Sequence, residues 1–327
     1  MTGVAALAII AAWFGLSRRS AAPPASTETL TIALPQAPHA ALIHLADAKG
    51  LFQAHGLAVK VSSQAHGKAA LEEVLQGGAD LAAAADVPIV IEVLKGAPLS
   101  IVTTVASASN ELAVLARRDR MVTSPGDLAR HRVGVTLGTS AEYFLWAFMV
   151  RHRLAPQSLV LVDLPPNRLV AALREGSVDA IAAWQPVRHD AERALGSAIV
   201  TFTAPDAYAQ NYALVGRSAF LASRGEALRR LMLGLLDAER FVEASPSQAR
   251  SLLATRLALS PDALEPAWQA LELEVDQQQD QLITLEDVAV WAMARGYVPA
   301  QPMPNFLSHL SVDALQELRP RRVTVVR

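Results

Sequence analysis

The turn Gly138-Thr139-Ser140-Ala141-Glu142 carries the residue types best suited to chemistry in this chain. It follows the strand-like stretch Val133-Gly134-Val135-Thr136-Leu137 and leads into an amphipathic run through Tyr143, Phe144 and Leu145. That order predicts a strand, a glycine turn and a helix whose first backbone N–H groups have no partner inside the helix. Those groups form the positive end of the helix dipole, and two hydroxyls stand beside them, so the turn suits a small anion. Thr139 and Glu142 also have capping-box spacing, which predicts that the Thr139 hydroxyl serves its own helix and leaves Ser140 for the anion. Taken alone, a plain helix cap is the simpler reading of the turn.

Other chemistries find little support. The turn is not a nucleophile elbow, because Glu142 stands where the last glycine of that motif permits close packing. Gly67-Lys68 lacks the earlier glycine of a phosphate loop, and no H-E-x-x-H pair exists. The eight histidines are scattered. His39 with His44 makes a poor metal pair, and His66 reads as a loop residue. With no cysteine there is no disulfide frame, thiolate site, cysteine nucleophile or lipid-anchoring cysteine. A net charge of −2 without long basic runs argues against nucleic acid as a partner. No cofactor and no metal are expected.

The elements that must position the turn occur twice. Strand 31–35 and helix 40–48 are matched by strand 133–137 and helix 140–152. A helix, a glycine turn and a strand then follow in each half, at 69–83 and 169–183. Gly77 and Gly176 each stand three residues before an aspartate, where a helix end favours a left-handed residue. The switch from helical to strand periodicity predicts βαβ units and mainly parallel sheets. The 327 residues suffice for two such lobes. Residues 30–107 form the first part of lobe one, 108–213 lobe two, and 214–327 the rest of lobe one with C-terminal helices. Those helices read as 227–243, 248–257 from Ser245-Pro246, one from Ser260-Pro261, and one opening at Thr284 and ending before Gly296. Their Trp and Leu stripes read as core.

Ligands of open parallel sheets bind at the carboxyl ends of the strands. Two such edges facing across a hinge near Asn110 and Gln210 make a cleft that can close. The residues placed there are Gln36, His39, Asp86 and Asn110 from lobe one and its exit, and Thr139, Ser140, Tyr143, Trp184 and Gln185 from lobe two. This set offers hydrogen-bonding groups and aromatic faces but no clear arginine, Arg188 lying past Pro186. A singly charged head on an apolar or aromatic body fits it better than a dense divalent anion.

Residues 4–16 form a short apolar run, followed by Arg18-Arg19 and by small residues and prolines to Ser26. The run is short for a membrane span and fits a signal peptide, although its charges lie on the wrong side. Residues 1–29 are therefore expected to be a cleaved leader, with the mature chain starting within 21–29, or an N-terminal anchor.

The chain resembles the substrate-binding proteins of bacterial ABC importers in the nitrate, sulfonate and taurine group. The resemblance rests on Lys49-Gly50-Leu51-Phe52, Gly67-Lys68-Ala69-Ala70-Leu71-Glu72, Gly77 to Asp80, and Asp86-Val87-Pro88. It continues through Asp127-Leu128, the turn at Gly138, Asp179 to Pro186 with Trp184, and Pro304-Asn305-Phe306-Leu307 before Asp313-Ala314-Leu315. It implies the type II periplasmic-binding fold, an α/β fold of two lobes, each a mainly parallel sheet flanked by helices. It also implies a monomeric, non-enzymatic protein in the periplasm, free or tethered to the inner membrane by residues 4–16. Its partners would be a small anionic solute, sulfonate-, taurine- or nitrate-like, and an ABC permease with its ATPase. Thr139 and Ser140 match the family's anion-holding helix start. The alternatives are a membrane-anchored ligand-sensing domain and a pyrimidine-precursor synthase on the same fold, the latter lacking its cysteine-rich iron site here.

Overall fold

The computed structural model describes residues 28–326. The expected leader falls outside the described residues except for Glu28 and Thr29, which already belong to the first strand and so correct the 1–29 boundary. Glu28 is held there by an ion pair with Arg224 at 2.7 Å. Among the described residues no helix is long and apolar enough to cross a membrane.

Among the described residues, eleven strands form two sheets. The strands are β1 (Glu28–Pro35), β2 (Leu57–Gln64), β3 (Leu81–Ala85), β4 (Leu99–Ala108), β5 (Ala113–Arg117) and β6 (Arg132–Val135). They continue as β7 (Val160–Asp163), β8 (Ala180–Ala183), β9 (Ile199–Phe202), β10 (Gln210–Arg217) and β11 (Leu271–Glu272). The first sheet has the order β11-β4-β10-β3-β1-β2 and the second β7-β6-β8-β5-β9. In each, three parallel strands (β2-β1-β3 and β7-β6-β8) are joined by one antiparallel strand, β10 or β5. Both sheets are thus mixed, and the reason is the path of the chain. β4 leaves the first sheet at its carboxyl edge, so β5 must enter the second from that same edge and run backwards. β9 and β10 repeat this on the return. The return crossing is 203–209, upstream of the 213/214 boundary read from the sequence, because β10 pairs with β3 and β4 from Gln210 onward.

Burial follows the layering. β3 (Leu-Ala-Ala-Ala-Ala) is buried along its whole length, as a central strand covered on both faces must be. The edge strand β2 is mostly half-buried and exposes Lys60 and Ser63. Helix Gly225–Ala244 lies on helix Leu51–Ala54 so closely that a Cβ at Gly234 would fall 2.5 Å from the Phe52 ring.

The repeated glycine-to-aspartate turn does the same work twice. Gly77 and Gly176 end their helices with φ of +83° and +78°. Asp80 then accepts from the Thr31 N–H at 2.8 Å, and Asp179 from the Arg132 N–H at 2.9 Å. Each carboxylate thereby ties its turn to the middle strand of the parallel trio in its own sheet, β1 or β6.

The C-terminal helix that carries Trp291 starts at Gln279, not Thr284. Its first turn is tied to the chain end, the Gln279 N–H donating to the Thr324 hydroxyl at 2.9 Å. Thr284 is an interior residue whose hydroxyl bonds back toward the Asp280 carbonyl at 3.4 Å. Helix Gln279–Arg295 packs on helix Asp86–Leu94 of lobe one and also reaches lobe two, where Arg295 pairs with the buried Glu142 at 2.9 Å.

Candidate functional site

The two carboxyl edges face one another around a cavity of about 30 Å³. That is room for one or two waters. Three helices begin at its wall. His66, Gly67 and Lys68 mark the start of Gly67–Leu75, Ala85 and Pro88 that of Asp86–Leu94, and Thr139 and Ser140 that of Ser140–Arg151. This convergence follows from topology, since every parallel strand delivers its chain to a helix N-terminus at the same edge. Three dipole ends and the Lys68 ammonium bring positive groups to the cavity wall, with the buried Asp86 carboxyl at the start of one of the helices. Among the described residues no arginine lines it.

Close approach is built into the wall. A Cβ on Gly67 would lie 2.9 Å from the Ala84 Cα, so only glycine lets this helix start sit against β3. Gly138 has φ of +72°, and a Cβ there would lie 3.3 Å from the Lys68 ammonium. Lys68 itself donates across the cleft to the Leu137 carbonyl at 3.2 Å.

The anion turn differs in detail from a capping box. The Thr139 hydroxyl donates to the Thr136 carbonyl at 2.6 Å and caps no N–H, which corrects the capping role expected for it. Glu142 accepts from the Gly138 N–H at 2.7 Å, one residue before the position a box requires. The reason is that Arg295 and the Tyr297 hydroxyl also converge on Glu142 and fix its carboxylate there. The backbone N–H groups of Glu142 and Tyr143 bond to the Thr139 carbonyl. Ser140 N–H and hydroxyl remain at the wall, the hydroxyl 3.5 Å from the Tyr208 hydroxyl.

Of the nine residues placed at the cleft by sequence, His39, Thr139, Ser140 and Trp184 line the cavity. The other five stand near but are otherwise engaged. Gln36 is exposed and donates to Ser63 at 3.0 Å. Asn110 is exposed, and its carbonyl receives Arg188 at 3.1 Å. Tyr143 is packed among Trp146, Tyr208 and Trp291. The Gln185 side-chain oxygen accepts from the His189 N–H at 3.1 Å. Asp86 is 1% exposed, and its oxygens are taken by Val87 N–H, Asn211 N–H and the Tyr208 hydroxyl. Burial pushes its carboxyl up to about 6, against the pull of those hydrogen bonds.

The lobe-one wall holds residues that no motif announces. Gln210 and Tyr212, at the start of β10, line the cavity. The Tyr212 hydroxyl and the Gln210 amide both donate to one oxygen of Glu111, which lies in the first crossing and is fully buried. Burial pushes the Glu111 carboxyl up to about 7, the Tyr212 hydroxyl and the Arg188 charge opposing it. His39 stacks on the Tyr212 ring, centroids 4.1 Å apart and planes 6° from parallel. Burial, then the neighbouring His44, lowers His39 to about 3, so its ring is neutral at neutral pH. Among the described residues no cluster of three His, Asp or Glu could hold a metal ion.

Comparison with known proteins places this architecture. A family model described as NMT1/THI5 like matches residues 37–249, and the chain belongs to that family. A Brucella abortus protein provisionally named as a binding protein is 23% identical over 155 residues, covering 45% of this chain and 49% of that one. The chain thus spans about half the length of the curated relatives it matches. The alkanesulfonate-binding protein SsuA from Xanthomonas axonopodis pv. citri, bound to MOPS, superposes with a TM-score of 0.75 at 20% identity, over 88% of this chain and 99% of that one. The periplasmic nitrate-binding protein NrtA from Synechocystis PCC 6803 gives 0.72 at 12% identity, over 90% and 89%. The fold is therefore that of the periplasmic binding proteins.

Proposed function

We propose that this NMT1/THI5-like protein is the solute-binding component of an ABC importer and captures a small organic anion between its lobes. The observation that carries the reading is the convergence of three helix N-termini and Lys68 on one interlobe cavity. Such a wall binds an anionic head through N–H groups and one ammonium, without a metal. Two chain crossings at 109–112 and 203–209 join the lobes, the arrangement of a hinge that opens to admit solute and closes over it. Capture rather than catalysis is the reading that the binding-protein relatives and fold neighbours support. Delivery to an inner-membrane permease in the periplasm completes the proposal, and the family and its fold neighbours support it.

A thermal-shift screen of sulfonates, nitrate, bicarbonate and carboxylates, followed by calorimetry and small-angle scattering on each hit, tests this. A solute that binds only the folded state raises the melting temperature, and lobe closure lowers the radius of gyration. Stabilisation by none of these anions overturns the reading.

A further inference from the structure

Two kinds of polar group line the cavity. Lys68, Ser140 and the helix N-termini supply donors. Gln210 and His39 bring buried polar atoms that nothing in the protein engages. Gln210 is 1% exposed and lines the cavity, and its side-chain oxygen has no partner. His39 is 5% exposed, lines the same wall, and its Nδ1 has no partner either. Buried polar atoms in folded proteins are almost always paired, so two orphans on one cavity wall point to a group that arrives with the solute.

The orientation of the Gln210 amide is fixed by its neighbours. Glu111 Oε2 accepts the Tyr212 hydroxyl at 2.5 Å and the Gln210 amide nitrogen at 2.9 Å. An oxygen already receiving one O–H can take a second donor but cannot serve an amide oxygen, so Gln210 must turn its NH2 to Glu111. This holds whether Glu111 is ionised or carries a proton on its other oxygen. The Gln210 carbonyl is left as an unpartnered acceptor on a residue that lines the cavity. Because Glu111 lies in one crossing and Gln210 at the end of the other, the acceptor is set by the hinge itself.

We propose that Gln210 is the specificity-determining residue of the cleft, selecting anions that also carry a hydrogen-bond donor, an amine above all. Glu111 acts as its positioning residue. The inference rests on the anion-capture reading above and adds a second chemical feature of the solute. An anion ending in a methyl group leaves the Gln210 oxygen unpaired on closure, and a site with an unpaired buried acceptor discriminates against such a ligand.

The test is calorimetry with two matched pairs, ethanesulfonate against 2-aminoethanesulfonate and propanoate against 3-aminopropanoate. In the wild type the amino member of a pair should bind about tenfold tighter or better. Gln210→Met removes both the acceptor for the amine and the unpaired oxygen that penalises the methyl end, so the two members of each pair should then bind within about threefold of one another. Glu111→Gln frees the Gln210 amide to turn over and should also erase the preference; it serves if Gln210→Met does not fold. Equal affinities within both pairs in the wild type, or a preference that survives both substitutions, overturn this proposal and leave anion capture standing. Binding of none of the four solutes defeats the anion reading and this inference with it.

Discussion

The Lys68 ammonium of lobe one donates to the Leu137 carbonyl of lobe two at 3.2 Å. The contact bridges the two lobes and places the cation beside the turn at Gly138. An ammonium has three donors, and one carbonyl uses only one of them. In the proposed capture of an anion, Lys68 serves both as an interlobe contact and as the ammonium the anionic head meets.

Lys68→Gln should therefore weaken binding of an anionic solute by about 1.5–3 kcal/mol, the range for a hydrogen bond to a charged group. The melting temperature of the solute-free protein should move little, because Lys68 is only partly buried. Calorimetry on the wild type and the variant measures this. Unchanged affinity would take Lys68 out of the site and leave the helix N-termini as its sole positive groups.

Much of this arrangement is legible in the sequence, for local reasons. The Gly138 turn and the two glycine-to-aspartate turns are set by residues within a few positions of each other, so pattern alone reveals them. His39 and Trp184 could be placed because each lies just past a parallel strand. Lys68 was harder to see: its neighbourhood fails as a phosphate loop, and its importance comes from a helix start brought against the opposite lobe. Gln210, Tyr212 and Glu111 carry no motif at all. Their meeting depends on β10 pairing with β3 and β4 across long stretches of chain, and such pairing is not written locally. Tyr143 misled for the converse reason. It follows the anion turn by one helical step, but that face is filled by Tyr208 and Trp291.

The two hydroxyls of the turn should separate on substitution. Ser140→Ala removes a donor at the cavity wall and should cost about 1–2 kcal/mol of solute affinity with little change in stability. Thr139→Ala instead breaks the buried bond to the Thr136 carbonyl and should lower stability by about 1 kcal/mol. Thr139→Ser keeps the hydroxyl and should restore most of that loss. Denaturant melts and calorimetry on the three variants decide it. Equal stability losses at both positions with affinity untouched would make the turn purely structural.

The buried carboxyl at Glu111 predicts a pH dependence with a definite sign. Its value rises on folding from 4.5 to about 7, so the folded state holds a proton that the unfolded chain has released between those values. The associated stability is fully present below pH 4.5 and is lost as pH rises through 7. His39 works in the opposite direction. Its value falls on folding from 6.5 to about 3, so its contribution is present above pH 6.5 and is lost as pH drops toward 3. The two largely mask each other in the wild type across mildly acid pH. Glu111→Gln removes the carboxyl and leaves the histidine. The stability of that variant relative to wild type should climb between about pH 4.5 and 7, by up to about 3 kcal/mol at 1.36 kcal/mol per unit, and then level off. Denaturant unfolding of both proteins at several pH values from roughly 4 to 8 traces the difference. A difference curve that stays flat over that interval would mean that Glu111 is ionised in the folded protein despite its burial.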